Sequence, residues 1–226
     1  MEAISHAGTA IGILAADGVV LAAEKRVVMD LLDAGTKSEK MYKIDNHVGC
    51  AVAGITADAN ILINYSRLYS QRYTYQYQET IPVEQLVQQL CNLKQSYTQY
   101  GGLRPFGVSY LYAGWDRHFK FQLYHSDPSG NYGGWKATAI GANNQTAQSM
   151  LKQEYNPEHD VNESLKLALR VVSKTMDSTG LKPDKLEFST LTIDPETNKP
   201  KFHILSHREI ADLIANTELP PASSSD

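Results

Sequence analysis

Cysteine is scarce in this chain: Cys50 and Cys91 are the only two among 226 residues. A disulfide framework is thereby excluded as an organising device. Cys50 falls in a strand-like run and Cys91 in a helix-like one, and both read as buried small apolar residues. That usage favours a reducing compartment, cytoplasm or nucleus. Long apolar runs are missing too: none approaches the ~20 residues of a membrane span. Met1 to His6 lacks the basic and apolar regions of a signal peptide. Blocks of one charge sign are also absent. The formal net charge is -4 with both signs interspersed, which argues against nucleic acid or an anionic membrane as partner.

The usual chemical motifs are absent as well. There is no G-x-S-x-G, H-E-x-x-H, P-loop, C-x-x-C or G-x-G-x-x-G. The histidines are scattered; His203 and His207 are four apart but straddle a strand end and a helix start. Gly130 to Gly134 is glycine-rich, yet it lies between strands rather than before a helix, so it reads as a turn and not as a phosphate cradle. Asp127 has too few carboxylates around it for calcium. No cofactor and no metal site is expected.

What is present is a foldable pattern. The hydrophobic fraction of 42% is ample for one packed core. Thr9–Ala15 and Val19–Ala23 flank the turn signal Asp17-Gly18, and Lys40–Ile44 and His47–Gly54 flank Asp45-Asn46. Two helices follow. Ile61, Tyr65, Leu68 and Tyr69 form the expected core stripe of the first. Val83, Leu86, Val87, Leu90, Leu93 and Tyr97 form that of the second, with Pro82 at its start. Strands resume at Phe106–Gly114, Phe119–His125 and Trp135–Ile140, the last two joined by Asp127-Pro-Ser-Gly-Asn131. Another helix pair covers roughly Gln145–Tyr155 and a segment opening at Asp160, with Glu163 as capping-box partner. Its stripe is Leu165, Ala168, Leu169, Val172 and Met176. Leu186–Ile193 and Lys201–Leu205 are the last strands, and Ser206 with Glu209 caps a final helix. Residues 1–216 read as one domain and 217–226 as a flexible tail. Strands, helix pair, strands, helix pair, strands, helix is an α+β order of segregated blocks. Two face-to-face antiparallel sheets with helices outside each would bury every apolar face.

Several stretches then bring a family into view. Gly8-Thr-Ala-Ile-Gly-Ile13, Asp17-Gly-Val-Val-Leu-Ala-Ala-Glu-Lys-Arg26 and Ser38-Glu-Lys40 resemble the opening of proteasome subunits. Ala53-Gly-Ile-Thr-Ala-Asp58, Tyr97-Thr-Gln-Tyr-Gly-Gly102 and Asp127 to Thr138 with Ile140-Gly141 continue the likeness. Arg104-Pro-Phe-Gly-Val108 resembles the α-type signature. The resemblance covers Met1 to about Ile214. It implies the four-layer αββα sandwich of N-terminal-nucleophile hydrolases. It further implies a non-catalytic place in a heteroheptameric α ring of the 20S proteasome, with β subunits and regulatory particles such as the 19S complex as partners.

The catalytic members of that family use a threonine whose own α-amino group relays the hydroxyl proton, with a lysine nearby. By the resemblance the nucleophile position here is Gly8, which has no hydroxyl. Lys40 and Glu24 match the lysine and its acid. The alternative is an autoprocessing hydrolase using Thr9, but Thr9 stands one residue out of register, so its side chain should face the opposite way. Lys40 reads either as a surface lysine paired with an acid such as Glu24, or as the resemblance implies. In that second reading Lys40, Gly8 and Ile55 form a pocket that captures the C-terminal carboxylate of pore-opening activators. The family also carries a gate tail and most of a helix ahead of the segment matching Met1. This sequence opens inside the end of that helix, so the expectation is a piece of a longer chain.

Overall fold

The computed structural model describes residues 2–25, 40–176 and 181–217. Arg26, Ser38 and Glu39 of the stretches above, and the tail from Glu218 onward, lie outside the described residues. After a short helix α1 (Glu2–Ser5), β1 (Ala10–Leu14) and β2 (Gly18–Glu24) form the hairpin expected around Asp17-Gly18. β3 (Met41–Asp45) and β4 (Val48–Gly54) form the second hairpin. Helices α2 (Thr56–Tyr77) and α3 (Val83–Gln99) follow, then β5 (Val108–Asp116), β6 (Lys120–Ser126), β7 (Tyr132–Gly134) and β8 (Ala137–Ile140). Helices α4 (Asn144–Glu154) and α5 (Val161–Thr175), strands β9 (Leu186–Ile193) and β10 (Pro200–Ile204), and α6 (His207–Ala215) complete the order.

The strands form two antiparallel five-stranded sheets, β10-β9-β2-β1-β8 and β3-β4-β5-β6-β7. Strands β1, β2 and β4 are apolar at nearly every position because both of their faces are covered. Alternate residues divide between two environments. Ile11, Ile13, Val20, Ala22 and Phe188 pack with α4, α5 and α6 residues such as Leu151, Leu169 and Ile210. Ala10, Val19, Leu21, Ala51, Leu111 and Leu123 meet between the sheets. Val52, Tyr110 and Tyr112 pack with Leu62, Leu86 and Leu90 of α2 and α3. The result is helices, sheet, sheet, helices, as the block order implied. Both expected capping boxes form, at Asp160/Glu163 and at Ser206/Glu209.

Two expectations are corrected. Ile61 and Leu68 of α2 are exposed and Tyr65 and Tyr69 are only half-buried. The buried face is Asp58, Ala59, Leu62, Ile63, Ser66 and Ser70. Small and polar residues go inside here because their hydroxyls find partners: Ser66 Oγ donates one turn back to Leu62 O at 2.6 Å, and Ser70 Oγ donates to Asp45 Oδ2 of β3 at 2.5 Å. Hydrophobic spacing is blind to such a face. The second correction concerns Trp135–Ile140. The Asp127–Asn131 turn returns β6 into the short β7, with His125 opposite Gly133. The chain then crosses to the other sheet, where β8 pairs with β1.

Candidate functional site

β1 and β3 belong to different sheets, yet stacking the sheets brings their leading residues together. Lys40, just before β3, donates from Nζ to Gly8 O, just before β1, at 2.6 Å. This is a charge-assisted bond of the short, strong kind. The Lys40 backbone is held from both sides: its N–H donates to Glu187 Oε2 at 3.2 Å, and its carbonyl accepts from Val52 N–H at 2.9 Å. Lys40 is half-buried and Gly8 is buried.

Gly8 is shaped by this neighbour. A Cβ at that position would lie 2.6 Å from Lys40 Nζ and 2.9 Å from Glu24 O. The direction a side chain would take is therefore the direction of the lysine, as a nucleophile–lysine pair requires. No hydroxyl stands there, and none fits without moving the ammonium. Thr9 faces away, as its register implied. It is fully buried, and its Oγ1 donates to Ala142 O at 2.6 Å. Its nitrogen is locked in the peptide bond to Gly8, and Glu24 N–H donates to its carbonyl at 2.9 Å. Thr9 thus lacks the exposure and the lysine that its chemistry would need.

Ile55 stands at the N-cap of α2, 38% exposed, three residues past the Val52 that bonds Lys40. Its N–H donates to Gly107 O at 3.0 Å. Gly107 is itself pinned by Asp58. Asp58 accepts from Gly107 N–H at 2.9 Å and from both Arg104 terminal nitrogens, at 2.6 and 2.9 Å. The Arg104 guanidinium holds the Asp58 carboxyl below the usual carboxylate range, despite burial pulling the other way. So the Arg104-Pro-Phe-Gly stretch is a clamp on the start of α2. The available signal was an acid in a first helical turn; its partner 46 residues away was not legible. Asp58→Ala strips three donors of a largely buried acceptor and is expected to destabilise the fold by roughly 2 kcal/mol. Asp58→Asn should cost less. Urea denaturation of the two variants checks the order.

The remaining candidates do not assemble. His203 Nε2 lies 2.9 Å from Glu209 Oε1 and His207 Nε2 lies 3.0 Å from Asp184 Oδ1, two separate exposed pairs. Among the described residues no group of three or more His, Cys, Asp or Glu is arranged to hold a metal ion. Cys50 and Cys91 are buried free thiols; burial pushes the Cys50 thiol up to about 12, so it stays protonated.

Residues 4–191 match the family described as Proteasome subunit. A spinach (Spinacia oleracea) protein named Proteasome subunit alpha type-4 is 60% identical over 227 residues, covering 100% of this chain and 90% of its own length. Proteasome subunit alpha type-4-A of Arabidopsis thaliana is 61% identical, over 95% of this chain and 85% of its own. Proteasome subunit alpha type-4 of Dictyostelium discoideum is 61% identical, over 97% and 88%.

Proposed function

The chain belongs to the proteasome subunit family, and within that family we propose that its Lys40–Gly8 corner, with Ile55, receives the C-terminal carboxylate of an activator that opens the pore. The chain is a non-catalytic α-type subunit of the 20S core particle, assembling with other proteasome subunits in protein degradation. The observation that carries the docking reading is the Lys40 Nζ–Gly8 O bond of 2.6 Å. It sets an ammonium beside a residue with no nucleophile, which supports docking over catalysis. A half-buried ammonium held on a backbone carbonyl suits a terminal carboxylate. Ile55 offers an apolar wall to the side chains that precede it.

In this reading the subunit contacts two α neighbours in a heteroheptameric ring and β subunits on one face. Regulatory particles such as the 19S complex dock on the other face, acting on the axial gate in ubiquitin-dependent and ubiquitin-independent degradation. Its expected location is cytoplasm and nucleus.

Lys40→Ala is expected to leave folding intact and to reduce activator-stimulated peptide hydrolysis by the assembled particle several-fold, with unstimulated hydrolysis unchanged. Stimulation equal to wild type overturns the docking role. The non-catalytic assignment has its own measurement. The intact mass should show no processing to a chain that starts at Thr9, and a threonine-directed epoxyketone should leave this subunit unlabelled.

A further inference from the structure

β8 forms one edge of the first sheet. Its pairing with β1 sets which backbone groups face outward. Leu14 N–H donates to Lys136 O at 2.7 Å, and Gly12 and Ala10 stand opposite Thr138 and Ile140. Alternate residues of an antiparallel strand turn their backbone groups to the same side. Lys136, Thr138 and Ile140 therefore serve β1, while Ala137 and Ala139 turn N–H and C=O away from it. Gln148 Nε2 caps Ala139 O at 3.1 Å. Among the described residues no side chain caps Ala137. An uncapped edge is a template for another strand.

A groove of about 520 Å³ flanks this edge, between β8 and α4. Ala137, Leu151, Tyr155 and Trp135 give it apolar walls. Trp135 is 46% exposed although it is one of the largest side chains in the protein. Tyr155 is held in place by its hydroxyl, which donates to Leu14 O at 3.0 Å. The polar lining is one-signed. Lys136 and Lys152 are exposed there, no acidic residue lines the groove, and neither lysine has an ion-pair partner among the described residues.

We propose that this groove takes an extended acidic segment of another subunit of the same particle. The segment adds to the sheet beside Ala137, lays an apolar side chain against Trp135, Leu151 and Tyr155, and sets carboxylates on Lys136 and Lys152. Main-chain bonds supply the affinity and the side-chain groove the selectivity, the usual division in strand addition. The charge of the lining selects an acidic segment. The outward N–H and C=O of Ala137 select an extended one over a helix, whose backbone groups are already paired. Family membership selects the source, since an α-type subunit functions only among other subunits. The proposal rests on that membership and not on the role of Lys40.

The test uses the full-length chain and a fluorescein-labelled hexapeptide, Asp-Val-Asp-Phe-Asp-Val, read by fluorescence anisotropy. Ala137→Pro deletes one outward N–H and leaves the bonds to β1 untouched. It is expected to weaken binding at least tenfold, as is the double change Lys136→Glu/Lys152→Glu. Wild-type chain with a peptide N-methylated on alternate amides makes the same backbone test without altering the protein, and the same tenfold loss is expected. Incorporation of the double variant into the particle, followed on native gels of cell extract, should fall several-fold. Equal affinity for the plain and N-methylated peptides overturns strand addition. Normal incorporation of a variant that has lost the peptide overturns the assignment to a partner subunit and leaves a protein outside the particle as the occupant. Lys40→Ala, read by activator stimulation, is independent of all these arms, so failure here and failure of the docking reading are distinguishable.

Discussion

Replacing Gly49 by valine is expected to lower the stability of the fold by roughly 3 kcal/mol or more. Gly49 lies on β4, opposite Ala113 of β5, and faces the other sheet. A Cβ there would lie 2.1 Å from Phe202 Cε2, 2.3 Å from Cζ and 2.4 Å from Cδ2. The Phe202 ring thus occupies the space a side chain would need. Phe202 is 6% exposed and belongs to the apolar cluster between the sheets. Its backbone is tied as well, since Phe202 N–H donates to Asn46 O at 3.2 Å. The ring has no local way out, so a residue at 49 either separates the sheets or expels the ring to water. Alanine should already cost much of this. A double-mutant cycle is the sharper measurement: Gly49→Ala and Phe202→Leu should be less than additive, because each removes part of the same collision. Additive losses in urea denaturation would show that the ring is not what excludes a side chain at 49.

Lys94 makes the second large effect, and it is an effect of pH. This lysine is fully buried on α3. Its Nζ donates to Ser126 Oγ at 2.9 Å, Val108 O at 3.3 Å and Asp127 O at 3.4 Å, and it lies 4.6 Å from the centre of the Tyr110 ring. It struts the turn between β6 and β7. Burial nevertheless lowers its pKa to about 8, against the ordinary 10.5. The unfolded chain therefore holds this proton more tightly than the folded one. Between those two values the unfolded state binds more protons, so stability rises with pH across that window. From pH 7 to pH 9 the contribution is about 1 kcal/mol. Lys94→Met removes it. At pH 7 the variant loses a strut but also a buried charge, and the two oppose. The decisive quantity is the difference between wild type and variant, which should move in favour of wild type by about 1 kcal/mol from pH 7 to pH 9. Subtraction removes most of what Cys50 and Tyr110 contribute, because both remain in each protein. A difference that does not change with pH over that range would contradict a depressed Lys94.

Lys94 and Gly49 illustrate what a linear pattern hides. Lys94 sits one turn beyond Leu90 on the buried side of α3, where a sequence pattern marks a charged residue as solvent-facing. It goes inside because three oxygens from β5, β6 and the turn after β6 converge on it. The same blindness reversed the face of α2. Its buried side mixes Leu62 and Ile63 with Asp58, Ala59, Ser66 and Ser70, while Ile61 and Leu68 stay outside.

The sequence by itself determined the order of strand and helix-pair blocks, the hairpins at Asp17-Gly18 and Asp45-Asn46, both capping boxes and the α+β layering. Each depends on neighbours a few residues apart, where periodicity and turn chemistry act directly. Through its resemblance to a known family it also gave the expectation that a glycine, Gly8, stands at the nucleophile position. That a lysine survives beside that glycine required the tertiary structure. Gly8 and Lys40 lie 32 residues apart, just ahead of strands of different sheets, and only sheet stacking brings Nζ to 2.6 Å from the Gly8 carbonyl. The crossing of β8 to the first sheet, the Asp58–Arg104 clamp and the open edge at Ala137 were likewise settled in three dimensions. Each is a contact between surfaces that local propensity builds separately and only packing aligns.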